Sequence, residues 1–261
     1  MPHRPPTAVA VCCAVLALLL AGSAVAAADD YVALGDSYSS GVGTRTFYES
    51  TCQRSDYAYP RLIDANRANT TLTFEACSGA TTGDVLAEQL GPLSSSTDIV
   101  TITIGGNDAG FADVITECAL PWPWSCEDDL DDAEAFIEGT LPGLLDDVYD
   151  AIDAEAPNAT VVVLGYPRLF MGVDCNGGTF FSGTELRRMN EVADLLASVT
   201  RSEATAAGFT FKDAIPSFTG HAVCSEAEWI NGLSNPVEES FHPNRSGHAS
   251  GYEPLVREVI G

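Results

Sequence analysis

Tyr31-Val32-Ala33-Leu34-Gly35-Asp36-Ser37-Tyr38-Ser39-Ser40-Gly41 is the stretch from which the rest of the chain is read. Four mostly apolar residues lead into Gly-Asp-Ser, and a glycine closes the run. Buried strands of parallel sheets read as short continuous apolar runs, so Tyr31–Leu34 is expected to be a strand ending in a tight turn. Ser37 then sits just beyond the carboxyl end of that strand. Ligands of open α/β sheets bind there, so the hydroxyl stands where a nucleophile is useful. A serine after a strand also serves as a helix N-cap, and this stretch alone supports both readings.

Similar strand-like runs recur at Leu72–Ala76, Ile99–Ile104, Thr160–Leu164 and Phe209–Phe211. Helix-like stretches lie between or after them. Asp56–Ala68 has apolar residues three and four apart. Thr82–Leu90 opens with a threonine cap and Asp84 in its first turn. Asp132–Glu155 is interrupted at Pro142-Gly143, which predicts two helices or one kinked helix. Thr184–Ala207 carries Leu186, Met189, Val192, Leu195, Leu196 and Val199 on one stripe, and Ser246–Ile260 closes the chain. Strands alternating with helices predict an α/β fold, a parallel sheet of about five strands covered by helices on both faces.

The 261 residues hold 12 Lys and Arg against 37 Asp and Glu, a net charge of −25. Such a charge repels nucleic acid and anionic membrane surfaces and keeps a protein soluble. It is also the composition of salt-adapted proteins. Residues 1–28 read as a secretory signal: Arg4, an apolar run from Ala8 to Leu20, then Ala24-Val25-Ala26 as an A-x-A cleavage pattern near residues 26–28. The run is too short to favour a membrane span, and no stable membrane insertion is expected. Residues 29–261 remain as one domain, without an internal repeat or linker. The product is expected to be extracellular and monomeric. Setting aside Cys12 and Cys13, the remaining cysteines are Cys52, Cys77, Cys118, Cys126, Cys175 and Cys224. An even number in an exported chain implies disulfides, and fifteen pairings are open. No C-x2-C spacing points to zinc. The run Glu127-Asp128-Asp129-Leu130-Asp131-Asp132 lacks the glycine and distal glutamate of a calcium loop and reads as a solvated face. No metal or cofactor is expected.

Three further motifs join Gly-Asp-Ser: Ala76-Cys77-Ser78-Gly79-Ala80-Thr81-Thr82, Ile104-Gly105-Gly106-Asn107-Asp108, and Ser240-Phe241-His242-Pro243-Asn244. In that order they resemble the four blocks of the SGNH (GDSL) hydrolases, and in particular the secreted actinobacterial lipases and esterases of that family. The resemblance implies a three-layer α/β/α sandwich with a flavodoxin-like sheet. It also implies sequential disulfides: Cys52–Cys77, Cys118–Cys126 and Cys175–Cys224.

The implied reaction is hydrolysis of a carboxylic ester, a small-molecule or lipid ester, by an acyl-enzyme on Ser37. A serine hydroxyl needs a base to take its proton. His3 lies in the signal, His221 in a loop before Cys224 and His248 in the closing helix, whereas His242 matches the family's catalytic histidine. The resemblance assigns the oxyanion hole to the Ser37 N–H, the Gly79 N–H and the Asn107 side-chain amide. For the group that orients His242 two candidates stand: the main-chain carbonyl of Ser240, which the actinobacterial branch implies, and Glu239, three residues before the histidine. The first is favoured, with Glu239 a flanking surface charge. Trp122 and Trp124, between Cys118 and Cys126, are expected to wall an acyl site.

Rival readings fit less well. An α/β-hydrolase needs G-x-S-x-G, and here Ser39 stands where the second glycine belongs. A metallo-hydrolase built on Asp36, Asp108 and His242 lacks two-metal spacing. A catalytically dead binding module has no reason to keep the serine, glycine, asparagine and histidine together. Phospholipase and carbohydrate acetyl-esterase remain as alternatives on the same site.

Overall fold

Consecutive residues of the central strands are buried without alternation: Ile99, Val100, Thr101 and Ile102 are all inside, as are Val161–Leu164. A strand buried on both sides requires cover on both faces of its sheet. The computed structural model describes residues 1–3 and 28–261; the expected signal segment falls largely on residues 4–27 and lies outside the described residues. Five strands, β1 (Asp29–Ala33), β2 (Thr70–Phe74), β3 (Ile99–Ile102), β4 (Thr160–Leu164) and β5 (Thr210–Lys212), pair in the order β2-β1-β3-β4-β5. Every pairing is parallel, with Val32 opposite Thr73 on one side and Val100 on the other. This is the flavodoxin-like order, whose switch point lies between β1 and β3.

Helices α2 (Tyr59–Asn66), α8 (Ala214–Phe218) and α9 (Glu253–Ile260) gather with the wide π-type turn Gly247–Tyr252. Helices α3 (Thr82–Asp84), α4 (Phe111–Cys118), α5 (Glu127–Gly139), α6 (Leu141–Glu155) and α7 (Gly183–Ala206) form the other group. The result is the three-layer sandwich. The long α5–α6 stretch is two helices, parted at Thr140 rather than at Pro142, which sits in the first turn of α6 where its missing N–H costs nothing. Helix α5 starts earlier than periodicity suggests, because Glu127, Asp128 and Asp129 fill its first turn and complement the positive end of the helix dipole. Ser182 and Glu185 form the capping box that starts α7. Helix α4 is not evident in the sequence: eight residues rich in Val, Ile and Thr fit a strand as well as a helix.

Three disulfides join Cys52 to Cys77, Cys118 to Cys126 and Cys175 to Cys224. Among the described residues no helix is long and apolar enough to cross a membrane.

Candidate active site

Strand pairing continues past the end of β1: the Leu34 N–H donates to Thr101 O at 2.8 Å and the Asp36 N–H to Thr103 O at 3.0 Å. Between them Gly35 adopts φ +118°, and a side chain there would meet Thr103 O at 2.4 Å. Only glycine lets the chain turn this close to β3. Both polar groups of Gly35 are held by the amide of Gln89, at 2.7 and 2.9 Å. Asp36 then caps the short helix α1 (Ser37–Ser40), accepting from the Tyr38 N–H at 2.9 Å. So Asp36, not Ser37, is the N-cap, and Ser37 opens the helix with its hydroxyl free to act.

Ser37 Oγ lies 2.7 Å from His242 Nε2, and His242 Nδ1 lies 2.8 Å from the Ser240 carbonyl. A carbonyl only accepts, so Nδ1 carries the proton and Nε2 is the acceptor for the Ser37 hydroxyl. Phe241, between them, has φ +58°, a conformation that costs a non-glycine residue energy. It is held from two sides: its N–H donates to Asn231 O at 3.0 Å, and its carbonyl accepts from the Tyr38 hydroxyl at 2.6 Å. The turn folds His242 back over the Ser240 carbonyl, and Tyr38 ties that turn to the helix that Ser37 opens. Burial lowers the His242 pKa to about 4, against the opposing pull of the Ser240 carbonyl. The imidazole is therefore neutral at pH 7, the state a general base requires.

Glu239 makes no hydrogen bond to the imidazole. It is buried rather than on the surface, and its Oε2 lies 3.3 Å from Arg45 Nε. Its carbonyl and that of Gly43 are held by the amide of Asn231.

Gly79 and Asn107 meet Ser37 from the ends of the neighbouring strands. Gly79 has φ +80°, and open space surrounds the position of its missing side chain; its requirement is conformational, not steric. Among the described residues neither the Ser37 N–H nor the Gly79 N–H has a hydrogen-bond partner. Asn107 Nδ2 donates to Ala80 O at 2.9 Å. That bond uses one amide hydrogen and leaves the second unspent. The carboxylate of Asp108 binds the Thr82 N–H and hydroxyl, which locks the Gly79 and Asn107 loops together.

Tyr166, just after β4, is a member of the site that the motifs do not contain. Its hydroxyl donates to Asp36 Oδ2 and accepts from the Gly106 N–H at 3.1 Å. It joins the Gly-Asp-Ser turn to the Gly-Gly-Asn turn. Burial pushes the Asp36 pKa up to about 7, although bonds from Tyr166 and the Tyr38 N–H pull it down. Both oxygens of Asp36 are hydrogen-bonded within the protein, and the Asp108 carboxylate is bonded to Thr82. Among the described residues no group of three or more His, Cys, Asp or Glu side chains is arranged to hold a metal ion.

Ser37, Gly79, Asn107 and His242 line one cavity of ≈ 530 Å³. Its remaining wall is largely apolar, with Phe111 and Ile115 from α4 and Leu120, Leu169, Leu196 and Leu233 around it. Trp122 and Trp124, expected in that wall, are not there: both are exposed. The wall comes instead from α4, the helix that leads into their loop. His221 stacks on Trp229, and His248 is buried, its Nδ1 accepting from the Tyr59 N–H.

Comparison with known proteins agrees with this geometry. Residues 33–250 match the model of the GDSL-like lipase/acylhydrolase family. The chain is 50% identical over 235 residues to Lipase 1 of Streptomyces coelicolor, covering 88% of this chain and 87% of that protein. A crystal structure of an extracellular lipase from Streptomyces rimosus superposes with a TM-score of 0.84 at 49% identity, covering 88% of this chain and 99% of the other. A phospholipase A1 from Streptomyces albidoflavus superposes with a TM-score of 0.82 at 45% identity, covering 89% and 99%. With the four blocks arrayed along the carboxyl edge of its sheet and a family match over most of its length, the chain belongs to the GDSL-like lipase/acylhydrolase family.

Proposed function

We propose that this chain is a secreted carboxylic ester hydrolase of lipase type, working through an acyl-enzyme on Ser37. The observation that carries the reading is the 2.7 Å contact between Ser37 Oγ and a carbonyl-oriented His242 at one end of an apolar cavity. Ser37 Oγ adds to the ester carbonyl as Nε2 takes its proton. The Ser37 and Gly79 N–H groups and the free Asn107 amide hydrogen receive the oxyanion; one such donor is worth on the order of 3 kcal/mol. The imidazolium returns its proton to the leaving alcohol, the C–O bond breaks, and the acyl group stays on Ser37. Water then gives a proton to Nε2, attacks the acyl carbon, and releases the acid with Ser37 restored.

The apolar wall suits an acyl chain. A phospholipid ester is the second reading, favoured by the 45% identity to a phospholipase A1. Export is supported by Ala24-Val25-Ala26 in the sequence, by three disulfides, and by the extracellular lipase among the relatives; residues 29–261 are then the secreted hydrolase. Ser37→Ala is expected to abolish hydrolysis of acyl esters, and covalent labelling by a serine-directed phosphonate, while the protein stays folded. Retention of more than about one part in a hundred of the activity would sink the mechanism, since removing a nucleophile costs far more. A chain-length series of acyl esters, run beside a phospholipid and an acetylated sugar, decides between the substrates.

A further inference from the structure

Trp122 is 90% exposed and Trp124 61% exposed, in a loop pinned at both ends by the Cys118–Cys126 disulfide. Two tryptophans held in water by a covalent staple have no packing role. The loop is ordered within as well: the Trp124 N–H donates to Pro121 O at 3.2 Å. Beside it the Phe180 N–H donates to Ala119 O, which brings a third exposed aromatic, 59% exposed, against the base of the loop.

This apolar face runs into the catalytic cavity. Leu120, two residues before Trp122, both lines the cavity and is exposed. Leu233 and Val237 do the same from the segment leading to His242, and Val237 is 63% exposed. Grouped exposed apolar side chains of this kind mark an interaction site. We propose that the Trp122–Trp124 loop, with Phe180 and the rim of the cavity, is a docking face for a zwitterionic lipid surface, from which an ester enters the cavity. The proposal rests on the ester-hydrolase reading and adds the physical state in which the substrate is met.

Three observations select this partner. An indole has a broad apolar body and an N–H donor, and tryptophan is enriched at membrane–water interfaces for that reason. The face is continuous with the mouth of the site, so an acyl chain leaving a lipid layer stays on apolar surface until its ester reaches Ser37. The chain carries −25 net charge, and Glu127, Asp128 and Asp129 follow the loop directly. An anionic bilayer is repelled at moderate salt, which leaves a surface without net charge. The disulfide holds the aromatics in place, so little ordering entropy opposes docking.

The test separates docking from turnover. Binding to phosphatidylcholine vesicles is read on Ser37→Ala protein by co-sedimentation and by quenching of tryptophan emission with brominated lipid. Trp229, stacked on His221, is the internal reference that should not be quenched. Adding Trp122→Ser and Trp124→Ser should weaken vesicle binding by at least about tenfold, through the apolar area lost. With Ser37 intact, the same pair of substitutions should leave hydrolysis of a dissolved short-chain ester within about twofold. Phosphatidylglycerol vesicles at low salt should bind more weakly than phosphatidylcholine. Unchanged vesicle binding in the double variant, a parallel loss of dissolved-ester hydrolysis, or preference for phosphatidylglycerol would overturn the proposal. A dimer that the double substitution splits, with no vesicle binding, would assign the face to a second copy and also overturn it. Absence of dissolved-ester hydrolysis by the unsubstituted protein would refute the enzymatic reading alone, with vesicle binding still scoring the face.

Discussion

Glu239→Gln separates a backbone-oriented histidine from a carboxylate-oriented one. In a Ser–His–Asp triad the buried carboxylate fixes the imidazole tautomer and stabilises the imidazolium. Neutralising it costs on the order of 10⁴ in turnover, about 5.4 kcal/mol. In this chain the Nδ1 proton is taken by the Ser240 carbonyl at 2.8 Å, and the Glu239 carboxylate faces Arg45 at 3.3 Å. Glutamine fills the same volume and leaves the Ser240 bond untouched. What is lost is one ion pair whose arginine side chain is 58% exposed. That loss falls on folding, by more than the roughly 0–1 kcal/mol of a fully exposed pair because the Glu239 side chain is buried, and not on the Nδ1 bond. Turnover should therefore fall by less than about tenfold, or 1.4 kcal/mol. The assay is kcat and KM on a dissolved acyl ester, with circular dichroism and a denaturant titration to establish folding. A folded Glu239→Gln protein reduced by about 10³ or more would refute the reasoning and make Glu239 the orienting anion.

Asn107→Ala should lower kcat by about 10²–10³ with KM little changed, because its amide serves the transition state more than the substrate; a loss confined to KM would remove it from the oxyanion hole. Burial penalises the His242 imidazolium, so the neutral base persists as pH falls. The acid limb of kcat/KM should therefore be flat from pH 7 to pH 5 and drop through about pH 4; a midpoint at the ordinary imidazole value near 6.5 would contradict this. Tyr166→Phe leaves a buried carboxyl oxygen of Asp36 and the Gly106 N–H without their partner. It should destabilise the fold by about 2–4 kcal/mol in urea titration, and a change below about 0.5 kcal/mol would mean that solvent replaces the hydroxyl.

The chemistry of the candidate site was legible because each step of ester hydrolysis demands a residue type at a strand end. Ser37, Gly79 and Asn107 follow β1, β2 and β3 within a few residues. A run such as Ile99–Ile104 announces its strand, and the glycine after it announces the turn. Tyr166 also follows a strand, β4, yet nothing local marks it. Its function is a bond to Asp36 across 130 residues, and a tyrosine after a strand is ordinarily packing. Glu239 shows the same limit from the other side. Three residues before the histidine is a position that suits an orienting carboxylate, and only the fold reveals Arg45 beside it. In the structure Phe241 at φ +58° brings the Ser240 carbonyl to the ring, and a phenylalanine carries no sign of positive φ. The tryptophans fail for a related reason. Indoles in a disulfide loop beside a catalytic motif read as a pocket wall when burial is the default for large apolar residues. The wall here is supplied by Phe111 and Ile115, whose helix already fills the space next to Asn107. The Trp122–Trp124 loop follows that helix and leaves both indoles exposed.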